Sequence, residues 1–108
     1  MIAQITPRDL HAWRQDDSRA APVLVDVREP WEQAICAIEG STLMPLSSVP
    51  ARVGELPKDR DLVLVCHHGN RSQRAAAWLE QQGYSQLFNL QGGVEGWASD
   101  VDPRMAHY

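Results

Sequence analysis

Cysteine is scarce in this chain, and its two cysteines, Cys36 and Cys66, form no Cys-x-x-Cys pair. That spacing argues against a zinc knuckle, a thioredoxin-like redox motif and a disulfide-dense secreted scaffold alike. Long apolar runs are also missing, since none approaches the ~20 residues of a membrane span. The opening Met1-Ile2-Ala3-Gln4-Ile5-Thr6-Pro7 has neither the basic nor the apolar region of a secretory leader. The expectation is a cytoplasmic protein in a reducing compartment, with no membrane partner. Basic residues are few, ten against fourteen acidic ones, for a net charge of −4. A general nucleic-acid binder is thereby excluded, because phosphate-backbone binding needs a basic face. No repeat, linker or low-complexity segment divides the chain.

What is present suits one ordinary globular domain: 108 residues, 44% hydrophobic and 22% charged. A chain of this size buries roughly two-thirds of its unfolded surface and needs no disulfide or structural metal to fold. Its cysteines are free for chemistry. The expected domain is 1–108, with a core over about 4–98 and a polar tail over 99–108 that contains Pro103, lies on the surface and is assigned no function.

Strand and helix signals alternate. Thr6, Pro7 and Asp9 read as N-cap, first-turn proline and acidic third position, with Ile5 and Leu10 spaced as a hydrophobic staple, so a helix is predicted over about 7–16. Val23-Leu24-Val25-Asp26-Val27 is a β-branched strand, and Pro30 opens a helix directly after it. A weaker strand is predicted over 43–46. Ser47 or Ser48 then caps a short helix ending near Leu56. Leu62-Val63-Leu64-Val65 is apolar at every position, the signature of a strand buried on both faces of a parallel sheet. A helix follows over 72–82, with Ala75, Trp78 and Leu79 on one face and Gly83 at its left-handed end. Leu87-Phe88-Asn89-Leu90 reads as the last strand, and Gly92-Gly93 opens a final helix carrying Val94 and Trp97. The alternation implies an α/β domain with a mainly parallel sheet and helices on both faces.

Cys66 ends the most apolar strand, and in open α/β sheets reactive groups gather at the carboxyl ends of strands. The next residues, His67-His68-Gly69-Asn70-Arg71-Ser72, lead straight into a helix, so backbone N–H groups and a helix N-terminus can converge on the sulfur. Gly69 and Asn70 tolerate the left-handed backbone a tight loop needs, and Arg71 supplies a permanent cation. From Cys66 to Arg74 there are two arginines, two histidines and no acid. The reading is an anion-attracting loop that favours thiolate over thiol. His67 and His68 are expected in the pocket wall or in solvent. With Cys66 they are three adjacent residues, which do not converge easily on one tetrahedral ion, so no metal site is assigned. Cys36, with no cationic loop around it, is read as a packing residue. Trp13, Trp31, Trp78 and Trp97 are read as packing residues too, with Trp31 a candidate for the pocket edge.

Cys66-His67-His68-Gly69-Asn70-Arg71-Ser72 resembles the active-site loop of single-domain rhodanese-like proteins. Leu24-Val25-Asp26-Val27-Arg28-Glu29-Pro30 is similar to that family's Asp-Val-Arg-Glu segment, and Leu90-Gln91-Gly92-Gly93-Val94-Glu95-Gly96-Trp97 to its Leu-x-Gly-Gly-x-x-x-Trp ending. The resemblance implies a three-layer domain with a five-stranded sheet. It also implies a thiosulfate sulfurtransferase activity in which Cys66 takes a sulfane sulfur from thiosulfate or a similar small anion, releases sulfite and carries the sulfur as a persulfide held by loop amides. A thiol, cyanide or a protein acceptor then collects it. No metal or organic cofactor is implied. The family often has Gly-His-Ile-x-Gly-Ala where this chain has Cys36-Ala37-Ile38-Glu39-Gly40-Ser41, so the usual histidine is missing.

Two other readings follow from the same loop. A phosphatase of the same fold would resemble Cys-x-x-x-x-x-Arg, whereas only His67 to Asn70 separate Cys66 from Arg71, a cradle too small for phosphate. A non-enzymatic docking or regulatory module of the family would have no need of Cys66.

Overall fold

The computed structural model describes all 108 residues. The elements run β1 (Ile2–Ile5), α1 (Pro7–Gln15), β2 (Val23–Asp26), α2 (Pro30–Ile35), β3 (Thr42–Leu43), α3 (Val49–Arg52), β4 (Leu62–Val65), α4 (Asn70–Gln81), β5 (Leu87–Leu90) and α5 (Gly93–Asp100). The five strands form one sheet in the order β1-β5-β4-β2-β3, with every pairing parallel.

β4 is central and buried throughout, and its two faces feed two cores. Leu62 and Leu64 join Val25, Val49, Ala75, Ala76 and Leu79 beneath α3 and α4. Val63 and Val65 join Leu10, Trp13, Leu24, Leu90, Val94 and Trp97 beneath α1 and α5. Continuous apolarity in β4 is therefore the direct consequence of a helix layer on each side. Val65 ends the strand, and the next residue, Cys66, stays only 1% exposed.

α1 begins as its sequence requires: Asp9 N–H donates to Thr6 Oγ1 at 3.1 Å, Thr6 N–H donates to Asp9 Oδ2 at 3.4 Å, and Pro7 occupies the first turn. Gly83 takes φ +94° just past α4. Several boundaries differ from the sequence reading. Ile2–Ile5 is an edge strand paired with β5, where the sequence showed only a staple residue before a helix. The predicted strand at 43–46 shortens to Thr42–Leu43, because Pro45 and a 3-10 turn over Leu46–Ser48 end the pairing. The helix expected to end near Leu56 is broken into that turn, α3 and a second 3-10 turn over Val53–Glu55, with Pro50 inside and Gly54 in the last piece.

α4 starts at Asn70, two residues before its predicted start. Gly69, at φ +106°, makes the left-handed turn that admits the helix directly after the cysteine loop. The segment 36–41, which lacks the family histidine, is held by other means. Ile38 is buried in the α1/α5 core, Gly40 turns at φ +86°, and Arg14 Nη2 donates to the Glu39 carbonyl at 2.6 Å.

Candidate active site

The geometry of the cysteine loop is imposed from two sides. Gly69 N–H turns inward and donates to Cys66 Sγ at 3.1 Å, while Ser72 Oγ lies 3.3 Å from the same sulfur. The carbonyls turn outward: Val94 N–H donates to Cys66 O at 2.9 Å and Glu95 N–H to His67 O at 3.1 Å. This explains Gly93, at φ +57°, since a Cβ there would overlap the Cys66 and His67 carbonyl oxygens. The start of α5 thus fixes the carbonyls away from the sulfur. By helix geometry the first-turn N–H groups of α4, from Asn70 onward, have no intrahelical acceptor and lie at the positive end of a twelve-residue helix. The loop can stabilise negative charge at and beyond the sulfur.

Arg71 is placed differently from the sequence reading. Its guanidinium makes a bidentate pair with Glu32 of α2, at 2.6 and 2.7 Å, and does not hydrogen-bond the sulfur. It remains within Coulombic reach of Cys66. The Arg71 fork holds the Glu32 carboxyl down at about 2, although burial opposes this, and the Glu29 N–H and Tyr108 hydroxyl assist. The pairing follows from α2 beginning beside the carboxyl edge of the sheet, with Glu32 in its first turn, where a carboxylate nearly withdrawn from water needs a cation.

Behind Glu32 lies a second, fully buried cation. Arg28 Nε and Nη2 bond Asp26, Nη2 also reaches Cys36 O at 2.7 Å, and Nη1 meets Tyr108 Oη at 2.9 Å. Burial would lower the Arg28 pKa, but the hydrogen bonds to Asp26 and then Tyr108 overcome it and leave it raised. Arg28 Nη1 also stands 3.9 Å from Cys36 Sγ, so Cys36, half-buried, has one cationic neighbour although no cationic loop surrounds it.

The tail is not idle surface. Tyr108 Oη donates to Glu32 Oε2 at 2.8 Å, and its ring stacks on His67 with centroids 3.8 Å apart. Burial pushes the Tyr108 phenol up to about 12, with Arg28 opposing and Glu32 assisting. His67 is sandwiched between Tyr108 and His68, and burial lowers its pKa, helped by His68 and opposed by Glu95. His107 anchors the tail on Glu95 at 2.8 Å. Trp31, expected among the packing residues, is instead exposed and meets Tyr108 edge-on, while Trp13 and Trp97 are buried in the core.

The other side of the loop is neutral. A cleft of about 330 Å³ opens there between His68, Asn70, Gln73, Gln4 and Asn89. The largest cavity, about 600 Å³ and lined by His11, Arg14, Trp97 and Met105 among others, includes no residue of the cysteine loop.

The structure therefore gathers Cys66, Gly69, Ser72 and the start of α4 around one sulfur, with Arg71 one step out and His67 and His68 stacked in the wall. Asp26, Arg28, Glu32, Asn89 and Tyr108 join the site unannounced by the sequence reading. The signal for the first three was present: charges at alternate positions closing an apolar strand, then a carboxylate one turn into a helix. Nothing local marks Tyr108.

A cysteine loop between the central parallel strand and a helix N-terminus, closed by a glycine pair, sits in a three-layer α/β domain of the kind that carries group-transfer enzymes. A family model described as rhodanese-like domain matches residues 6–100. A sulfurtransferase from Allochromatium vinosum is 46% identical over 84 residues, 78% of each chain. Thiosulfate sulfurtransferase GlpE from Stutzerimonas stutzeri is 38% identical over 103 residues, 92% of this chain and 91% of that one. The crystal structure of a rhodanese-like domain protein from Staphylococcus aureus superposes with a TM-score of 0.83 at 27% identity, over 93% and 95% of the two chains. The chain belongs to the rhodanese-like family, and the transfer it performs is of sulfur.

Proposed function

We propose that Cys66 is the sulfur carrier, that thiosulfate or a similar small anion is the donor, and that a thiol, cyanide or a protein thiol is the acceptor. The Cys66 thiolate attacks the outer sulfur of thiosulfate, the sulfur–sulfur bond of the donor breaks, and sulfite leaves with the bonding pair. The product is a Cys66 persulfide anion. An acceptor nucleophile then attacks its outer sulfur, and Cys66 departs as the thiolate. The single observation that carries this reading is the inward Gly69 N–H on Cys66 Sγ, a donor suited to a negatively charged sulfur. The N–H groups opening α4, left without intrahelical acceptors, are the donors available to the second sulfur. Arg71, charge-balanced by Glu32, contributes positioning of the loop and long-range attraction of the donor.

The whole of 1–108 acts as one domain in this proposal, with the tail completing the site wall. Two free thiols suit a reducing compartment, the cytoplasm. No helix is long and apolar enough to cross a membrane.

Exposure to thiosulfate followed by intact-mass measurement tests the proposal. A gain of one sulfur atom on Cys66, removed by cyanide or a reducing thiol, is the expected result. No gain on wild-type protein would leave a docking module as the better reading. Hydrolysis of p-nitrophenyl phosphate should be negligible, and substantial turnover would overturn the loop-length exclusion of a phosphatase.

A further inference from the structure

The neutral side of the loop contains a hydrogen-bond chain that ends on the reacting sulfur. Gln4 of β1 and Asn89 of β5 are register partners, and Leu64 of β4 is the next in line. Leu64 packs on the α4 side of the sheet, so Asn89 points to that side as well, beneath the first turn of α4. There Ser72 Oγ donates to Asn89 Oδ1 at 2.5 Å, and the same Oγ lies 3.3 Å from Cys66 Sγ. Asn89 Nδ2 donates to Gln4 Oε1 at 2.9 Å and to Gly69 O at 3.2 Å, and Gln4 Nε2 donates to Gln73 Oε1 at 2.6 Å. Ser72 is fully buried and Asn89 is 4% exposed.

The orientation of the Asn89 amide follows from one fixed partner. Gly69 O is a backbone carbonyl and can only accept, so it must face the nitrogen. Oδ1 then faces Ser72, whose only proton is committed to it. Toward the sulfur the serine presents lone pairs. That arrangement suits a Cys66 thiol, whose S–H can point at Ser72 Oγ, and is unfavourable for a thiolate, which would meet an acceptor. When Cys66 ionises and its proton leaves to solvent, a rotation about the Ser72 Cβ–Oγ bond carries the hydroxyl proton from Asn89 to the sulfur with no heavy atom displaced. Asn89 Oδ1 is left buried without its donor.

We propose that Asn89 is a positioning residue that acts on Cys66 through Ser72, competing with the sulfur for the hydroxyl proton and so setting how readily the sulfur becomes anionic. The charged and titratable groups around the sulfur are Arg71 with its partner Glu32, His67 and His68 in the loop, Glu95 of α5 against His67, and Arg28 and Tyr108 behind Glu32. β5 and β1 present only the amides of Asn89 and Gln4, so a change at Asn89 alters no charge unless a charge is introduced.

The proposal rests on Cys66 as the reacting sulfur, but it is read by alkylation, which needs no sulfur transfer. Failure here and failure of the functional reading are separate results. In a Cys36→Ser background, the pH profile of Cys66 alkylation by iodoacetamide is compared for Asn89, Asn89→Leu, Ser72→Ala and the Ser72→Ala/Asn89→Leu pair, with circular dichroism as the folding check. Asn89→Leu frees the serine proton and should move the profile to lower pH by roughly half a unit to one unit, a shift of the size one neutral hydrogen bond produces. Ser72→Ala should move it to higher pH, and adding Asn89→Leu to Ser72→Ala should do nothing more. Asn89→Asp provides an independent arm where Asn89→Leu fails to fold: a stronger acceptor for the serine proton should shift the profile upward by more with Ser72 present than with Ala at 72. An Asn89→Leu profile that stays or rises, or an effect of equal size with and without the Ser72 hydroxyl, would overturn the proposal.

Discussion

Cys36 and Cys66 sit at opposite ends of helices, and the contrast sets two electrostatic environments for sulfur side by side. Cys36 is the C-cap of α2, and its own N–H is spent on Glu32 O at 3.3 Å. It faces the end of a helix where carbonyls and partial negative charge accumulate. Cys66 precedes the N-terminus of α4, where N–H groups and partial positive charge converge, and it receives Gly69 N–H. A formal cation is closer in hydrogen-bonding distance to Cys36, through Arg28, than to Cys66. That cation is already divided among Asp26, two backbone carbonyls and Tyr108. With Cys66 as the proposed sulfur carrier, the direction of the backbone amides rather than proximity to an arginine distinguishes the two sulfurs.

The largest effect should separate the two cysteines outright. Cys66→Ala is expected to abolish thiosulfate-to-cyanide sulfur transfer, a fall of about a thousandfold or more in kcat/KM, while Cys36→Ser stays within about twofold. Comparable losses in two folded variants would make Cys36 a relay thiol and dissolve the contrast.

Gly93 sharpens it next, because this residue keeps the Cys66 and His67 carbonyls outward. Gly93→Ala forces a Cβ into those oxygens at a left-handed position, and should cost more than about 2 kcal/mol in denaturant unfolding as well as most of the activity. Stability close to wild type would mean that the α5 start yields easily and does not fix the loop.

These two residues also show what was legible in advance. The strand end at Cys66, the glycine pair and the helix that follows are local patterns, and such patterns made the cysteine loop, the parallel sheet and the two helix layers legible. Ile2–Ile5 escaped because a four-residue edge strand has too few positions to show a period, and its pairing with β5 is non-local. The direction of Arg71 escaped because Glu32 lies on another element, and a permanent cation takes the nearest buried carboxylate whatever its neighbours in sequence. Asn89 is a strand residue in sequence and in structure; its amide chemistry appears only when α4 is laid over it.

Glu32 tests the ionic side of the loop. Its carboxyl is held at about 2 in the folded protein against an ordinary 4.5, so it is the depressed-carboxylate case. The stability it contributes is fully present above about pH 4.5 and drains away as pH falls toward 2, amounting to roughly 3 kcal/mol at neutral pH. Glu32→Gln should lose stability of this order at pH 7 and show a flatter decline on acidification than wild type, measured as unfolding free energy against pH. Parallel declines in the two proteins would assign the acid sensitivity elsewhere.

The smallest effect is expected at Tyr108, on the same ionic side but with no hydrogen bond to the cysteine loop. Tyr108→Phe removes one hydroxyl and keeps the ring, so the stack on His67 at 3.8 Å and the edge contact with Trp31 are retained. Two hydrogen bonds are lost, one from Arg28 Nη1 and one to Glu32 Oε2. Neither partner is stranded, since Arg28 keeps Asp26 and two carbonyls and Glu32 keeps the Arg71 fork and the Glu29 N–H. The loss should therefore stay at about 2 kcal/mol for the two bonds together, below the penalty of an orphaned buried charge. No bond from Tyr108 reaches Cys66, Gly69 or Ser72, so thiosulfate kcat/KM should change by less than about twofold. Tyr108→Ala, which also removes the stacking partner of His67, should cost more stability than Tyr108→Phe. A large activity loss in Tyr108→Phe with little loss of stability would instead place the phenol hydroxyl against the substrate and make the tail part of the chemistry.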